Sequence, residues 1–338
     1  MVLVTGGTGL VGSHLLHRLV RMSEPVRALR RANSDLSLVA DIGDQIEWIE
    51  ADVLDVTALA SAFEGVTKVY HVAAMVSYDP EKKDEMMLVN VEGTTNMVNL
   101  CLDFDVQKLL HVSSIAALGR KKTEQKIDEK TVWEDSKYNS PYGVSKFRAE
   151  REVWRGIAEG LDAVIINPSV IIGAGKWNET STQLITSIDK GMMFYPPGIT
   201  GYVDVRDVSE IAIELMESDI TNERYIVNAE NLTFKEVFTM IAQDLDKKPP
   251  IIKAQKWMAG VAYRLLKLRK VFTGKPALIT RELVRNLGNK YYYDHSRIRK
   301  ALGYSFIPIK DAVADATAAY LESKGKGLGY SAPQYNPE

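Results

Sequence analysis

Along the first half of the chain, short apolar runs rich in β-branched residues alternate with longer stretches whose apolar positions recur at helical spacing. The runs are VLVTG, VRALRR, IEWIEADV, KVYHVAA, KLLHVSS and AVIINPSVIIG. Between them lie GSHLLHRLVRM, TALASAFEG, MMLVNVEGTTNMVNLCLDF and PYGVSKFRAEREVWRGIAEG. Runs that stay apolar suit strands buried on both faces, and the intervals suit right-handed helical crossovers. The order predicts an α/β fold: a doubly wound parallel sheet with helices on both sides. After Gly173 the rhythm loosens through GMMFYPPGITG, followed by a short strand GYVDV, a helix from Arg206 and a strand YIVN. From about Ala229 onward the pattern is mostly helical. The expected division is a sheet domain over residues 1–173, to which 201–228 return, and a smaller, mostly helical C-terminal lobe built from 174–200 and 229–338.

Directly after the first run comes TGGTGLVG, which spaces Gly6, Gly9 and Gly12 as G-x-x-G-x-x-G and opens a helix. A diphosphate lies well at such a helix N-terminus, with glycines letting the backbone approach and Gly12 allowing close helix packing. This loop makes the sheet Rossmann-type and the domain over 1–173 dinucleotide-binding, so the smaller lobe becomes the substrate lobe.

Composition narrows the class without choosing a function. The 338 residues are 46% hydrophobic and 25% charged, ordinary for a folded globular protein, and the formal net charge of −2 gives no general pull toward nucleic acid. The single cysteine, Cys101, excludes an internal disulfide and sits among apolar helix positions, which suits the core. With no basic leader at MVLVTGGTG and no run long enough to span a bilayer, the expected setting is cytoplasmic, with no transmembrane segment. The five histidines are scattered and no H-E-x-x-H occurs, so no metal is expected; no G-x-S-x-G marks a serine hydrolase. His14 and His17, just after the glycine loop, read as solvent-facing.

The stretch NSPYGVSKFRAE, residues 139–150, sets Tyr142 and Lys146 four apart on one helical face. An ammonium beside a phenol favours the phenolate and brings its pKa down from about 10. Tyr78 and Lys82, Tyr263 and Lys267, and Tyr320 and Lys324 share the spacing, so spacing alone leaves the choice open.

The glycine loop together with ADVLD, YHVAA, VNVEGT, HVSSIAALG, PYGVSK, NPSVIIG and YVDVRDV, in that order, resembles the extended short-chain dehydrogenase/reductase superfamily over nearly the whole chain. Within it are the NAD(P)-dependent epimerase/dehydratase proteins; the dihydroflavonol-reductase-like and hydroxysteroid-dehydrogenase-like reductases are the most similar. The resemblance implies that the active tyrosine follows the fifth strand by one helix and is preceded by Ser or Thr at that strand's end, which selects Tyr142. It implies Ser114 for the substrate oxygen, with Ser113 as the fallback. Lys146 would steady the phenolate and hold the nicotinamide ribose, and Asn90 would support a water or backbone link toward the lysine. Expected dinucleotide contacts are Gly6, Thr8, Gly9, Leu10, Val11, Gly12, Arg30, Arg31, Asp52, Val53, Ala73, Tyr142, Lys146, Pro168, Ser169 and Val170. Arg30 and Arg31 stand where an acid would bind the ribose of NAD, so the expected cofactor is NADP, with NAD as the other candidate.

The implied function is an NADP(H)-dependent oxidoreductase that interconverts a ketone or aldehyde and an alcohol by hydride transfer. Ile115 and Ala116 follow Ser114 where sugar-nucleotide dehydratases carry an Asp-Glu pair, which argues against dehydration. A sugar-nucleotide epimerase uses the same Ser, Tyr and Lys and stays as an alternative, as does a non-catalytic NAD(P)-binding regulator. The expected partners are a small-molecule substrate and, by resemblance, a second copy packed through helices near 85–103 and 141–159. Substrate loops are expected at 75–86 and 174–200. The segment KWMAGVAYRLLKLRKVF sets Trp257, Val261, Leu265 and Leu268 at helical spacing amid Arg264, Lys267, Arg269 and Lys270. One reading is a core-packing helix with a solvated basic face. The other is an apolar roof over a pocket for a bulky hydrophobic substrate, with its basic flank near anionic lipid or an anionic substrate group.

Overall fold

A computed structural model describes residues 1–77, 79–120, 125–255, 257, 258, 260 and 285–333. Chain order begins β1 (Val2–Thr5), α1 (Leu10–Arg21), β2 (Val26–Arg30), β3 (Glu47–Glu50), α2 (Val56–Ala62), β4 (Lys68–His71), α3 (Lys83–Met87), α4 (Gly93–Asp103) and β5 (Lys108–Val112). It continues through β6 (Gln125–Ile127), α5 (Pro141–Ala158), β7 (Ala163–Pro168), β8 (Val170–Ile172), α6 (Gln183–Asp189), β9 (Phe194–Tyr195), β10 (Ile199–Asp204), α7 (Val205–Glu217) and β11 (Glu223–Val227). The remaining described elements are β12 (Glu230–Thr233), α8 (Phe234–Asp244), β13 (Ile252–Lys253), β14 (Tyr291–Tyr293), α9 (Ser296–Leu302) and α10 (Ile309–Gly325).

A seven-stranded sheet in the order β11-β7-β5-β4-β1-β2-β3 forms the centre, and every neighbouring pair is parallel. Alternation along β1 divides the core: Val2 and Val4 join the layer of Leu15, Leu16, Val208 and Ile211, whereas Leu3 joins Phe63, Met97, Cys101 and Val153 on the opposite face. Thus α1 and α7 cover one face, and α2, α4 and α5 the other. Each aliphatic side chain so buried contributes about 1.5–3 kcal/mol. Cys101 is core, as expected, and burial pushes its thiol up.

The run AVIINPSVIIG does not stay in one sheet. It breaks at Ser169 into β7, in the central sheet, and β8, which pairs with β10 in a three-stranded sheet ordered β12-β10-β8. Gly201–Asp204 of GYVDV lie in that second sheet as part of β10, and Val205 starts α7. Among the described C-terminal residues, the helices α8, α9 and α10 are accompanied by the short strands β12, β13 and β14. Tyr78, Tyr263, Val261, Leu265, Leu268 and the basic residues Arg264, Lys267, Arg269 and Lys270 lie outside the described residues. Among the described residues, no helix is long and apolar enough to cross a membrane.

His14 and His17 are buried rather than solvent-facing. Helix α1 packs beside α7, and the histidine side chains meet other parts of the chain that sequence spacing could not place there. His14 Nε2 lies 3.1 Å from the Ala174 carbonyl oxygen, and His17 Nε2 lies 3.1 Å from Asp41. Burial lowers the His14 pKa to about 3, so its imidazole is neutral.

Candidate active site

The turn from β1 into α1 is shaped by two glycines. Gly6 has φ +71°, and a Cβ there would sit 2.7 Å from the Ala73 nitrogen, so the loop lies against the end of β4. A Cβ on Gly12 would stand 2.1 Å from the Gly6 carbonyl oxygen, so only glycine lets α1 start this close. Gly9 N–H donates to Gly6 O at 3.1 Å and serves as N-cap with no side chain closing the helix end. No acidic residue occupies the first turn of α1. The uncapped N–H groups and the positive helix end therefore suit an anion, and the cradle fits a dinucleotide diphosphate.

Other expected cofactor residues lie at the carboxyl ends of neighbouring strands, where ligands bind in open α/β sheets. Thr8, Leu10 and Val11 line the loop and are half-buried. Arg30 ends β2, half-buried, and Arg31 follows it, exposed. Asp52 and Val53 follow β3; Asp52 Oδ1 accepts from Leu54 N–H at 3.0 Å, and Val53 packs where a Cβ on Gly93 would lie 2.7 Å from its methyl. Pro168 ends β7, Ser169 N–H donates to Val227 O at 3.0 Å, and Val170 opens β8. The Ser169 hydroxyl is buried with no hydrogen-bond partner among the described residues.

Helix α5 starts cleanly: Ser140 Oγ accepts from Gly143 N–H at 2.8 Å, and Pro141 takes the first turn, where a missing N–H does no harm. A Cβ on Gly143 would lie 2.7 Å from Ala116 O, so the first turns of α5 rest on the short turn Ile115–Leu118 that Ser114 opens. Tyr142 is half-buried there. One turn on, Lys146 is 1% exposed and its Nζ donates to Val112 O at 2.8 Å. Burial brings the lysine down to about 8, while the Glu150 charge acts in the opposite sense. The fold thereby gathers Ser114, Tyr142 and Lys146 at the end of β5.

The two serines separate by their partners. Ser113 is buried and its hydroxyl donates to Glu150 Oε1 at 2.6 Å. Ser114 is half-buried; its Oγ accepts from Ala116 N–H at 3.2 Å and keeps its own proton to donate. By contrast, Tyr320 and Lys324, at the same spacing as Tyr142 and Lys146, both engage Asp189. Arg206 is held by Asp204 and Asp315, each at 2.7 Å.

Asn90 lies in a π-helical turn, Leu88–Glu92, between α3 and α4. Its Oδ1 accepts from Met75 N–H at 2.7 Å, and its Nδ2 donates to Met75 O at 3.0 Å and Ser145 Oγ at 2.9 Å. It thus ties the loop after β4 to the residue beside Lys146. Sequence reasoning missed the chain behind it. Thr94 Oγ donates to Asn90 O at 2.7 Å, so it must accept from His71 Nε2 at 3.0 Å; Thr5 Oγ, 2.9 Å from His71 Nδ1, then donates there. Thr5 Oγ also accepts from Val72 and Ala73 N–H. His71 is therefore the neutral Nε2–H tautomer, in keeping with burial that lowers its pKa to about 3. His111 lies beside it with ring centroids 5.2 Å apart and no partner for either nitrogen among the described residues. A lone polar residue inside an apolar run gave no signal for either histidine.

The model of the NAD dependent epimerase/dehydratase family matches residues 2–228. The chain belongs to that family. It is an extended short-chain dehydrogenase/reductase and an NAD(P)-dependent enzyme. Sterol demethylase protein B of Methylococcus capsulatus is 29% identical over 326 residues, covering 95% of this chain and 98% of that protein. Cinnamoyl-CoA reductase 1 of Oryza sativa is 25% identical over 349 residues, covering 99% and 94%. The crystal structure of gox2253 superposes with a TM-score of 0.81 at 33% identity, covering 95% of this chain and 98% of that one.

Proposed function

We propose that this family member is an NADP(H)-dependent reductase that converts a ketone or aldehyde to an alcohol. Ser114, Tyr142 and Lys146 perform the proton chemistry. The observation that carries the reading is Lys146: buried, pinned to Val112 O and set one turn below Tyr142, against the turn that Ser114 opens. A relative named as a reductase, aligned along nearly the whole chain, supports it.

The dinucleotide supplies the hydride when bound. Tyr142 gives its proton to the oxygen of the carbonyl being reduced, and Lys146 holds the resulting phenolate by its charge. Ser114, with its hydroxyl proton free to donate, steadies the negative charge that develops on that oxygen. Gly6, Gly9 and Gly12 cradle the diphosphate. Arg30 and Arg31 accept a 2′-phosphate, which is the basis for NADP over NAD. The site operates in a homodimer, for which the half-exposed Leu88 and a groove of about 470 Å³ between α3 and α5 offer a surface.

A panel of carbonyl compounds and nucleotide sugars offered with NADPH and with NADH tests the reading, following nicotinamide absorbance and, separately, sugar configuration. Oxidation of NADPH by at least one carbonyl compound, with no change in any sugar, is expected. Epimerisation of a nucleotide sugar without net consumption of cofactor would replace the reductase by an epimerase.

A further inference from the structure

We propose that Glu150 is a positioning residue of this site: acting through Asn167, it fixes the backbone of Ser114 relative to the helix that carries Tyr142 and Lys146. The inference rests on the Ser114, Tyr142 and Lys146 reading above.

Glu150 follows Lys146 by four residues on α5, so Tyr142, Lys146 and Glu150 share one helical face. It is 1% exposed, and a carboxylate at such depth persists only if its oxygens are well supplied with donors. They are. Oε1 accepts from Ser113 Oγ at 2.6 Å and from Asn167 Nδ2 at 2.5 Å, and Oε2 accepts from Arg224 Nη1 at 3.2 Å. One carboxylate thus ties the ends of β5 and β7, and β11, to a single helix.

Asn167 makes this a device for Ser114. The same Nδ2 donates to Ser114 O at 3.0 Å, so its two hydrogens serve Glu150 and Ser114 together. Both partners are acceptors, which fixes which way the amide faces. Ser114 O also accepts from Ala117 N–H at 3.0 Å, so the donor from Asn167 anchors the turn on which the Ser114 hydroxyl is presented. The carboxylate orients Asn167, Asn167 holds Ser114, and the helix bearing Glu150 delivers the tyrosine and lysine. The register between the two halves of the site is therefore tied by directional hydrogen bonds as well as by the packing of α5 on the turn Ile115–Leu118. Glu150 and Asn167 touch no reacting atom.

The test is a double-mutant cycle between Asn167→Leu and Ser114→Ala in the full chain. It uses NADPH titration, amide hydrogen exchange and the turnover of the best carbonyl compound of the panel. Asn167→Leu should leave NADPH affinity within about 3-fold, speed exchange at Ala116 and Ala117, and cut turnover about 10- to 100-fold, the scale of misplacing a reacting group by an ångström. In the Ser114→Ala background the same change should cost less than about 3-fold, because the hydroxyl it positions is already gone. Glu150→Gln keeps an acceptor for Ser113 and Asn167, so it should lose less and show the same non-additivity; it carries the cycle if Asn167→Leu does not fold. Equal losses in both backgrounds, or unchanged exchange at Ala116 and Ala117, would overturn the proposal. Faster exchange in a chain for which no carbonyl turnover is found would instead sink the reductase reading and leave the positioning role standing.

Discussion

Lys146 shows how burial and charge divide the work within one side chain. Its pKa falls from 10.5 to about 8 through burial. The proposed reduction needs Tyr142 protonated and Lys146 charged, and both states are lost as pH rises. Turnover should therefore decline above about pH 8, and a rate that keeps climbing well past that point would contradict the assignment. The sign for stability is opposite: a base whose folded pKa is lowered penalises the fold while charged, and the penalty is relieved as pH rises from about 8 to 10.5. Lys146→Met should thus raise the melting temperature at neutral pH while cutting turnover on the order of 100-fold. Further along the cofactor cradle, changing Arg30 and Arg31 together to Ala should weaken NADPH about 10-fold and NADH by less than about 3-fold, since only a 2′-phosphate pairs with guanidinium. Equal affinities for both dinucleotides before and after the change would remove the NADP preference. At this scale Tyr142, Lys146 and Ser114 could be singled out because motif order distinguishes them from look-alikes such as Tyr320 and Lys324. Glu150, Asn167 and His71 could not, because their roles depend on partners 17 to 74 residues away in the chain.

Elements add constraints that no single residue carries. Gly12→Ala would drive a methyl to 2.1 Å from Gly6 O, so α1 must back away from the loop. A loss of about 1–3 kcal/mol in stability is expected from such overpacking, with dinucleotide binding weakened more than 10-fold; calorimetric unfolding and titration check the two parts. Helix α7 offers a pH test. Asp207 accepts from Tyr304 Oη at 2.9 Å and Ile307 N–H at 3.1 Å, and burial raises its carboxyl to about 7. An acid raised in the fold favours folding while protonated and loses that contribution as pH climbs from 3.8 to about 7. Relative to the unaltered protein, Asp207→Asn should therefore melt higher at about pH 8 than at about pH 4. The helices themselves were legible from periodicity, but how many sides each buries was not. His14 and His17 appeared free because the groups that meet them, Ala174 O and Asp41, lie 160 and 24 residues away in the chain. Likewise, apolar character marked residues 163–172 as β structure without showing that Ser169 hands the chain from one sheet to another.

For the molecule as a whole, the six apolar runs and YIVN supply the seven strands of the central sheet, while GYVDV, expected beside them, went to the second sheet. The apolar runs sufficed to predict a doubly wound parallel sheet, because parallel strands buried on both faces leave the plainest pattern a sequence can carry. The short strands β9, β12, β13 and β14 left none, being two to four residues long and governed by their neighbours. The site lies where the sheet's strand order turns and α5 meets the end of β5, and its proposed chemistry converges on Tyr142. The decisive measurement is the turnover of Tyr142→Phe with NADPH and a carbonyl substrate, made beside NADPH affinity and the unfolding curve. A loss of about two orders of magnitude or more, with affinity and fold retained, is expected for removal of a general acid. Turnover close to that of the unaltered protein would contradict the central claim that Tyr142 delivers the proton.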